Sequence, residues 1–290
     1  MNKLSQIQLG VIGGSGFYKM EGLESVSQIE VETPFGKPSS PVTIGNLEGI
    51  KVGFIARHGF GHTILPTEVN YRANIYALKV LGAARVIGIS ACGSLREDYS
   101  PGQIVIPNKL VDFTRKRETS FFQSGLVAHI GVAKPFCPDF SAQLFSSAEK
   151  IDAPVKFGGT AITIEGPRFS TMAESQLYRS WGIDLIGMTT APEAFLAREA
   201  ELCYSALFHV TDYDVWHQTE APVSVDQVFR IIKQNTDHAK NIIKAVAREF
   251  SLDCENECRS ALQNAFATNP NAINPDMAKK LGLLVEKYIS

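Results

Sequence analysis

Short apolar, β-rich runs alternate with helical patterns along the whole chain of 290 residues. Several runs are apolar throughout, which is typical of central strands in a sheet that is covered on both faces. Because no internal repeat or low-complexity linker marks a boundary, the alternation predicts one α/β domain over residues 1–290, with a helical C-terminal tail from about residue 251. We assign strands to Leu9–Ile12, Val42–Ile44, Val52–Ala56, Arg85–Ser90, Ile104–Ile106, Gly159–Ile164, Leu185–Met188 and Cys203–Val210.

The longest helix is predicted after Ser224, which can form a capping box with Gln227. Its apolar residues recur at helical spacing and share one face, which indicates a long amphipathic helix packed on the sheet. They are Val225, Val228, Phe229, Ile232, Ala239, Ile242, Ile243 and Val246.

Two further helices are indicated by capping residues. One is expected to begin at Thr67, as N-cap, and to end at Gly82. The other is expected to open with a capping box of Thr190 and Glu193. Its N-terminal amides would point at whatever lies beside Thr189.

Charge and hydropathy exclude several classes of partner. The chain has 28 basic and 30 acidic residues, a formal net charge of -2 and no block of Lys or Arg, so the electrostatic pattern of a nucleic-acid binder is absent. The first residues do not form a secretory signal, and no apolar run approaches the length of a membrane span. A small or neutral partner is therefore expected, with neither nucleic acid nor membrane.

The five cysteines are scattered and odd in number, which suits a reducing compartment and predicts a cytoplasmic protein. Cys254 and Cys258 lie four residues apart, which leaves a bridge between them open. No second Cys/His pair at ligand spacing accompanies them, so plain thiols are favoured and no metal site is predicted.

The segment GVIGGSGFY is a predicted strand that runs into a glycine-rich turn carrying Ser15. Glycines let backbone amides approach an anion closely. The turn lacks the third glycine of a dinucleotide fingerprint and the closing glycine of a nucleophile elbow. By itself it is equally well an ordinary tight turn.

In GFIARHGFGH a strand ends in Arg57 and His58, with His62 four residues on. An arginine can hold a phosphate with two N–H groups, and a histidine can add a hydrogen bond from a second direction. The alternative is a solvated loop with incidental charges. A metal site is less supported, since no second cluster of ligands completes it.

Two more predicted strands end in hydroxyls or amides: VIGISACGS offers Ser90 and the Ala91 amide, and IGMTTAPE offers Thr189 beside a helix N-terminus. Four strand ends thus carry groups that an oxyanion would bind. Ligands of such α/β folds lie at the carboxyl edge of the sheet, so we expect the four segments to converge there.

The stretch TDYDVW places Asp212 and Asp214 directly after an apolar strand, at the same edge. If the chain stays extended, the two carboxylates point the same way. A phosphate would repel them, so a neutral hydrogen-bonding ligand such as a purine fits better. The alternative is that they cap a helix or close a turn.

Taken together, these segments closely resemble the trimeric purine nucleoside phosphorylase superfamily, from about Gly10 to Phe250. The matching motifs, in chain order, are GGSG, ETPFGKPS, ARHG, VNYRANIYALK, ACGSLRE, PFCP, TIEGPRFST, MTTAPE and TDYDVW. The resemblance implies a single-domain, three-layer α/β sandwich in which a central mixed, twisted β-sheet is flanked by helices. It also implies a homotrimer or a dimer of trimers, and inorganic phosphate as co-substrate without any cofactor.

The resemblance also implies roles for individual residues. Asp212 would be catalytic, sharing a proton with purine N7, and its pKa should be raised by burial and by Asp214 and phosphate nearby. Phosphate would be bound by Ser15, Arg57, His58, Ser90, Ala91 and Thr189. Met188 would pack under the ribose and Phe169 against the purine, while Asp214 would serve its amino group. The 5' pocket would be lined by His62, Val225, Val228 and Phe229, with His129 from the neighbouring subunit.

Two positions favour a 6-aminopurine as the base. Relatives that use 6-oxopurines carry a glutamate after the phenylalanine of the GPxF motif and an asparagine in place of the first aspartate. Here the residues are Ser170 and Asp212. A serine hydroxyl can donate to adenine N1, which is an acceptor. A 6-oxopurine phosphorylase, a nucleoside hydrolase and a non-catalytic purine-binding protein remain the alternatives.

Overall fold

This computed structural model describes residues 7–14, 16, 17, 20–217 and 225–289, and for residues 225–230 and 232–234 only the helical backbone. In that part of the chain, one sheet is formed by β1 (Leu9–Gly13), β2 (Glu24–Ile29), β3 (Val42–Leu47), β4 (Ile50–Ala56), β5 (Arg85–Ser94), β6 (Ile104–Ile106), β7 (Lys109–Phe113), β8 (Val155–Phe157), β9 (Thr160–Ile164), β10 (Leu185–Gly187) and β11 (Cys203–Asp212). The helices are α1 (Tyr71–Val80), α2 (Pro138–Glu149), α3 (Met172–Ser180), α4 (Thr190–Glu199), α5 (Val225–Arg248) and α6 (Pro275–Leu281).

The sheet is mixed, with strand order β2-β3-β4-β1-β5-β10-β9-β7. β11 pairs in parallel with β5 and antiparallel with β6, which in turn pairs with β8. β5 is therefore central: it pairs with β1 up to Gly88, with β11 along most of its length, and with β10 from Gly93 onward. Between those two glycines, no described strand pairs with the edge of β5 that faces β1 and β10.

Hydrophobic cores lie on both faces of the sheet, as alternation along the strands requires. Within β1, Ile12 belongs to the core that holds α1 and α4, whereas Leu9 and Val11 belong to the core that holds α2 and α5. The arrangement is a three-layer α/β sandwich, as expected from the sequence. Among the described residues, no helix is both long and apolar enough to cross a membrane.

All eight strands assigned from the sequence are present, with ends shifted by a few residues. Three strands escaped the assignment, β2, β7 and β8. β2 is polar and almost wholly exposed, and β8 has three residues, so neither carries the apolar pattern of a buried strand.

The predicted N-cap of α1 was wrong. The helix begins at Tyr71, and its cap is Asn70, whose side chain accepts a hydrogen bond from the Ala73 amide. Thr67 instead donates its hydroxyl hydrogen to the Glu165 carboxylate at 2.7 Å. The predicted end is confirmed, since Gly82 follows the helix with a φ of 90° that favours glycine.

The predicted capping box of Thr190 and Glu193 was also wrong. The N-cap of α4 is Thr189, and Ala191 has extended backbone angles, so the first turn is not regular. Glu193 points into the protein and is completely buried. The α5 helix is confirmed, and its residues Ala239, Ile242, Ile243 and Val246 are buried, but Ser224 and the side chains of Gln227 and Ile232 lie outside the described residues.

A buried ion pair joins α4 to the carboxyl ends of β1 and β4 and to the middle of β5. Arg57, directly after β4, donates through Nε and Nη2 to the Glu193 carboxylate, at 2.8 Å in each case. The same guanidinium donates to the carbonyl oxygens of Ile12 in β1 and Ile89 in β5. Tyr204 of β11 completes the network by donating its hydroxyl hydrogen to Glu193 at 2.8 Å.

We expect Glu193→Ala to lower the free energy of unfolding by about 3–5 kcal/mol, because it leaves Arg57 charged and buried without its partner. Glu249→Ala is the matched control, since Glu249 pairs with Lys150 at an exposed site and should cost at most about 1 kcal/mol. Urea unfolding followed by circular dichroism at one protein concentration compares the two variants. Equal losses would show that the buried pair is not a major determinant of stability.

Candidate active site

The described strand ends predicted to bind an anion lie together at one edge of the sheet. The Arg57 amide donates to the Gly13 carbonyl at 2.9 Å, which joins the ends of β1 and β4. The hydroxyls of Ser90 and Thr189 lie 2.8 Å apart, which joins β5 to the start of α4. Ser15 lies outside the described residues. The convergence expected from the sequence is thus present, and Arg57 is at its centre.

Arg57 has little capacity left for a ligand. Four of the five N–H donors of a guanidinium are used, two on Glu193 and one each on Ile12 and Ile89. The two-donor hold on phosphate expected from the sequence is therefore not available, because one Nη1 hydrogen is left without an acceptor among the described residues. Burial opposes the charge, but the Glu193 carboxylate outweighs it and raises the pKa of Arg57.

His58 is held in one tautomer. Its Nδ1 lies 2.9 Å from the carbonyl oxygen of Ile64, and a carbonyl only accepts, so Nδ1 carries the hydrogen. Burial, with Arg57 beside it, lowers the pKa of His58 to about 4, so the ring is neutral at pH 7. Nε2 then bears a lone pair and can accept a hydrogen bond from a protonated phosphate oxygen. The exposed His62 stacks on this ring, with centroids 4.4 Å apart.

The unpaired edge of β5 offers a backbone donor. The Ile89 carbonyl faces this edge, because it accepts from Arg57. Successive residues of a strand turn their N–H and C=O groups to alternate edges, so the Ala91 amide faces the same way as Ile89. Ser90 and Thr189 are both buried, and Thr189 makes no side-chain cap on α4. One of the two hydroxyl hydrogens is used in the bond between Ser90 and Thr189, so the other hydroxyl hydrogen and the Ala91 amide remain to be offered to an oxyanion at this edge.

Arg117 was missed in the sequence, where it stands in the charged stretch TRKRETS that has the composition of a solvated loop. Its side chain is 1% exposed and pairs with Glu165. Nη1 donates to the carbonyl oxygens of Met188 and Ala191, at 2.7 and 2.8 Å. Arg117 therefore fixes the turn that presents Thr189.

Asp212 ends β11 beside Gly93 of β5 and is 7% exposed. Oδ1 accepts from the Asp214 amide at 2.8 Å and Oδ2 from the Thr211 hydroxyl at 2.6 Å. Burial raises its pKa to about 6 and outweighs these two bonds, which favour the ionised form. About one carboxyl group in ten is then protonated at pH 7, so Asp212 can hold or give up a proton near neutrality.

The chain does not stay extended between Asp212 and Asp214, which was the condition for their two carboxylates to point the same way. Asp214 has a φ of 50°, and the bond from its amide to Asp212 closes a turn, so the turn alternative was partly right. Burial raises the pKa of Asp214, although the nearby hydroxyls of Ser175 and Ser170 oppose that shift. Asp214 Oδ2 and the two serine oxygens are buried close to one another, but none of them reaches hydrogen-bond geometry with a described residue, so a small rotation could join the hydroxyls to the carboxylate. Such groups are rare in proteins, and a polar ligand would satisfy them.

The side chains expected around the sugar are only partly described. Met188 packs against Gly166, where a Cβ atom would lie 2.6 Å from its sulfur. Phe169 is 38% exposed, a large apolar side chain open to solvent. The side chains of Val225, Val228 and Phe229 lie outside the described residues. His129 is exposed, and its amide donates to the Ala265 carbonyl at 2.8 Å, so it is attached to the C-terminal segment.

The chain is similar to proteins of one kind over nearly its whole length. S-methyl-5'-thioadenosine phosphorylase of Geobacter sulfurreducens is 51% identical over 282 residues, which cover 97% of this chain and 99% of that protein. The enzyme of the same name from Koribacter versatilis is 46% identical, and the match covers 98% of this chain and 97% of that protein.

Solved structures agree with the sequence relatives. The crystal structure of a methylthioadenosine phosphorylase from an Antarctic soil metagenomic library superposes with a TM-score of 0.90 at 40% identity, covering 97% of this chain and 99% of that one. Methylthioadenosine phosphorylase from Schistosoma mansoni in complex with adenine superposes with a TM-score of 0.83 at 36% identity. The match covers 89% of this chain and 96% of that one.

The sequence model of the phosphorylase superfamily matches residues 8–250, a range that contains every described strand and the site at their carboxyl edge. With that match and with relatives of this identity, the chain belongs to the phosphorylase superfamily.

Proposed function

We propose that this chain catalyses the phosphorolysis of S-methyl-5'-thioadenosine to adenine and 5-methylthioribose 1-phosphate, with inorganic phosphate as co-substrate and no other cofactor. The names of the relatives support this substrate. The observation that carries the proposal is a buried carboxyl group, Asp212, with a pKa of about 6 on the strand that neighbours Ser90 in β5. That pair of groups is what departure of a purine and attack by phosphate require.

On the phosphate side, the hydroxyls of Ser90 and Thr189 and the Ala91 amide would bind the nucleophile, together with the remaining N–H of Arg57. His58, being neutral, would accept from the protonated oxygen of the phosphate. Phosphorolysis needs little covalent chemistry from the protein, so these groups act by position. Phosphate below the sugar would offset the positive charge that grows on C1' as the glycosidic bond stretches.

On the base side, the Asp212 proton would be shared with purine N7, so that adenine leaves as a neutral molecule. Asp214, with an unpartnered buried oxygen, would accept from the 6-amino group. The Ser170 hydroxyl, also buried and unpartnered, would donate to N1. A 6-oxopurine presents a donor at N1 and an acceptor at C6, so it matches these groups poorly. A broader phosphorylase of adenosine, inosine or guanosine is the second candidate.

The active site is proposed to be completed between subunits of a homotrimer or a dimer of trimers, with His129 and His62 near the 5' substituent. The remaining roles implied by the resemblance are also proposed. They are the 5' pocket for Val225, Val228 and Phe229, phosphate for Ser15, the ribose for Met188 and the purine for Phe169. The cytoplasmic location also stays a prediction.

We expect cleavage of S-methyl-5'-thioadenosine to fall by at least about 10²-fold in phosphate-free buffer, because the nucleophile is then missing from the site. With phosphate present, the sugar product should be the 1-phosphate. Chromatography of the products from methylthioadenosine, adenosine and inosine, with and without phosphate, provides the measurement. Equal rates in both buffers and release of free sugar would identify a hydrolase instead.

Asp212→Asn should lower kcat/KM for methylthioadenosine by about 10²–10⁴, the usual contribution of general acid catalysis. Asparagine can still accept from the Asp214 amide, so the turn should survive. Its amide can donate to N7 without transferring a proton, and kcat/KM for inosine should therefore fall less, or rise.

The control is Asp152→Asn, because Asp152 is exposed and its φ of 52° suits asparagine. This variant should leave kcat/KM for both substrates unchanged. If Asp212→Asn lowers kcat/KM for both substrates by the same factor, Asp212 does not distinguish the bases. If kcat/KM falls for neither substrate, Asp212 only closes the turn.

A further inference from the structure

Four of the five cysteines meet at one place outside the active site. The sulfurs of Cys137, Cys203, Cys254 and Cys258 all lie within 4.8 Å of one another. Cys137 is the N-cap of α2, Cys203 is the first residue of β11, and the other two come from the segment after α5. The sequence favoured plain thiols because Cys254 and Cys258 lacked a second pair, and the fold supplies that pair from distant positions.

The spacing of the sulfurs fits a shared ion better than a bridge. A disulfide places its sulfurs about 2.05 Å apart. Four thiolates at about 2.3 Å from a tetrahedral zinc ion lie about 3.8 Å from one another. The sulfurs of Cys137 and Cys254 are 3.6 Å apart, close to the second value.

We propose that Cys137, Cys203, Cys254 and Cys258 bind one Zn²⁺ ion as a structural tetrathiolate site. The C-x3-C spacing of Cys254 and Cys258 lies within the range used by structural zinc sites. Four sulfur ligands in tetrahedral arrangement select zinc or iron, whereas Mg²⁺ and Ca²⁺ require oxygen ligands. All ligand positions are taken by protein, as in structural zinc sites, so the ion has no open position for chemistry.

The surroundings compensate the charge that such a site would carry. Zinc with four thiolates has a net charge of −2, which is costly to bury unless it is hydrogen-bonded. Arg198 donates from Nη1 to the Cys258 sulfur at 3.1 Å. Cys137 stands at the N-terminus of α2, where the helix dipole stabilises a thiolate.

The backbone around the thiols is held by bonds that do not involve sulfur. Arg85 donates to the Asp253 carbonyl, the Glu255 amide donates to the Asp139 carboxylate at 2.8 Å, and the Leu262 amide donates to Glu201 at 3.1 Å. Residues 253–262 are therefore fixed on both sides of the site before any ion binds. A preorganised set of ligands of this kind favours one coordination geometry.

The ion would connect the C-terminal segment to the body of the protein. Beyond Leu262, the same segment pairs Phe266 with Ala128 and accepts the His129 amide at Ala265. The cysteine site is therefore close in sequence to Ala265, which holds the backbone of His129, the residue proposed to reach the neighbouring subunit. It is independent of the proposed reaction, and its test does not depend on activity.

The first experiment uses the wild-type protein, purified under reducing conditions without chelators. Elemental analysis by mass spectrometry should find about one zinc ion per chain. X-ray absorption at the zinc edge should show four sulfur neighbours at about 2.3 Å. Protein that contains no zinc, or zinc bound by nitrogen or oxygen, would overturn the proposal, as would iron in its place.

The second experiment compares cysteine variants. Cys254→Ser and Cys258→Ser should each lower the zinc content at least about tenfold and lower Tm by about 5–10 °C. Cys92→Ser is the matched control, because Cys92 is the fifth cysteine and is not in the cluster, so it should keep its zinc.

An equal loss of zinc from all three variants would reject the assignment of the four cysteines as ligands. An undiminished zinc content in Cys254→Ser would reject it as well. The wild-type chain also tests the competing bridge. An intact mass lower by two hydrogens for each bridge, in protein purified without reductant and devoid of zinc, would show that these cysteines form disulfides.

Discussion

The buried ion pair between Arg57 and Glu193 holds together the parts of the chain that form the site. It links α4 to the ends of β1 and β4 and to the middle of β5, and Tyr204 extends it to β11. A buried charge without a partner costs several kcal/mol, so the network favours the packing in which these strands and α4 are all in place. The position of Thr189 at the start of α4, and hence its contact with Ser90, depends on that arrangement.

The same network limits what Arg57 can give to phosphate. Its charge is largely met by Glu193, and His58 is neutral because burial lowers its pKa to about 4. In the proposed reaction, phosphate therefore meets hydroxyls, a strand amide and a single guanidinium N–H. A nucleophile that is held by such donors keeps its negative charge available to the sugar, where positive charge develops in the transition state.

Local patterns in the sequence were enough to predict the sheet and the edge at which the site lies. Apolar runs gave the central strands, and the polar residues that follow them, such as Ser90 and Asp212, had to meet at the carboxyl edge. The buried charged residues that support this edge were not predictable. Glu193 matched a capping pattern and Arg117 a solvated loop, because no local periodicity records that each is paired with residues far away in the chain.

The cysteine cluster escaped prediction for the same reason. Cys137 and Cys203 are isolated in sequence, and only the packing of the folded chain places them beside Cys254. The sequence also left open whether the chain from Asp212 to Asp214 is extended or turned, and the left-handed residue Asp214 folds it back into a hydrogen bond with Asp212. That turn is stabilised by a local hydrogen bond between a side chain and the backbone, which the alternation of side chains along a strand does not predict.

The central claim is that Asp212 gives the departing base its proton. The direct test is the pH profile of kcat/KM for methylthioadenosine at saturating phosphate, divided by the same profile for Asp212→Asn, since ionisation of phosphate is common to both and cancels. Because the protonated carboxyl is the active form, the ratio should fall about tenfold per pH unit above a pKa of about 6, or somewhat higher when the phosphate dianion is bound. A ratio that stays constant from about pH 5 to pH 9 would contradict the assignment of Asp212 as the acid.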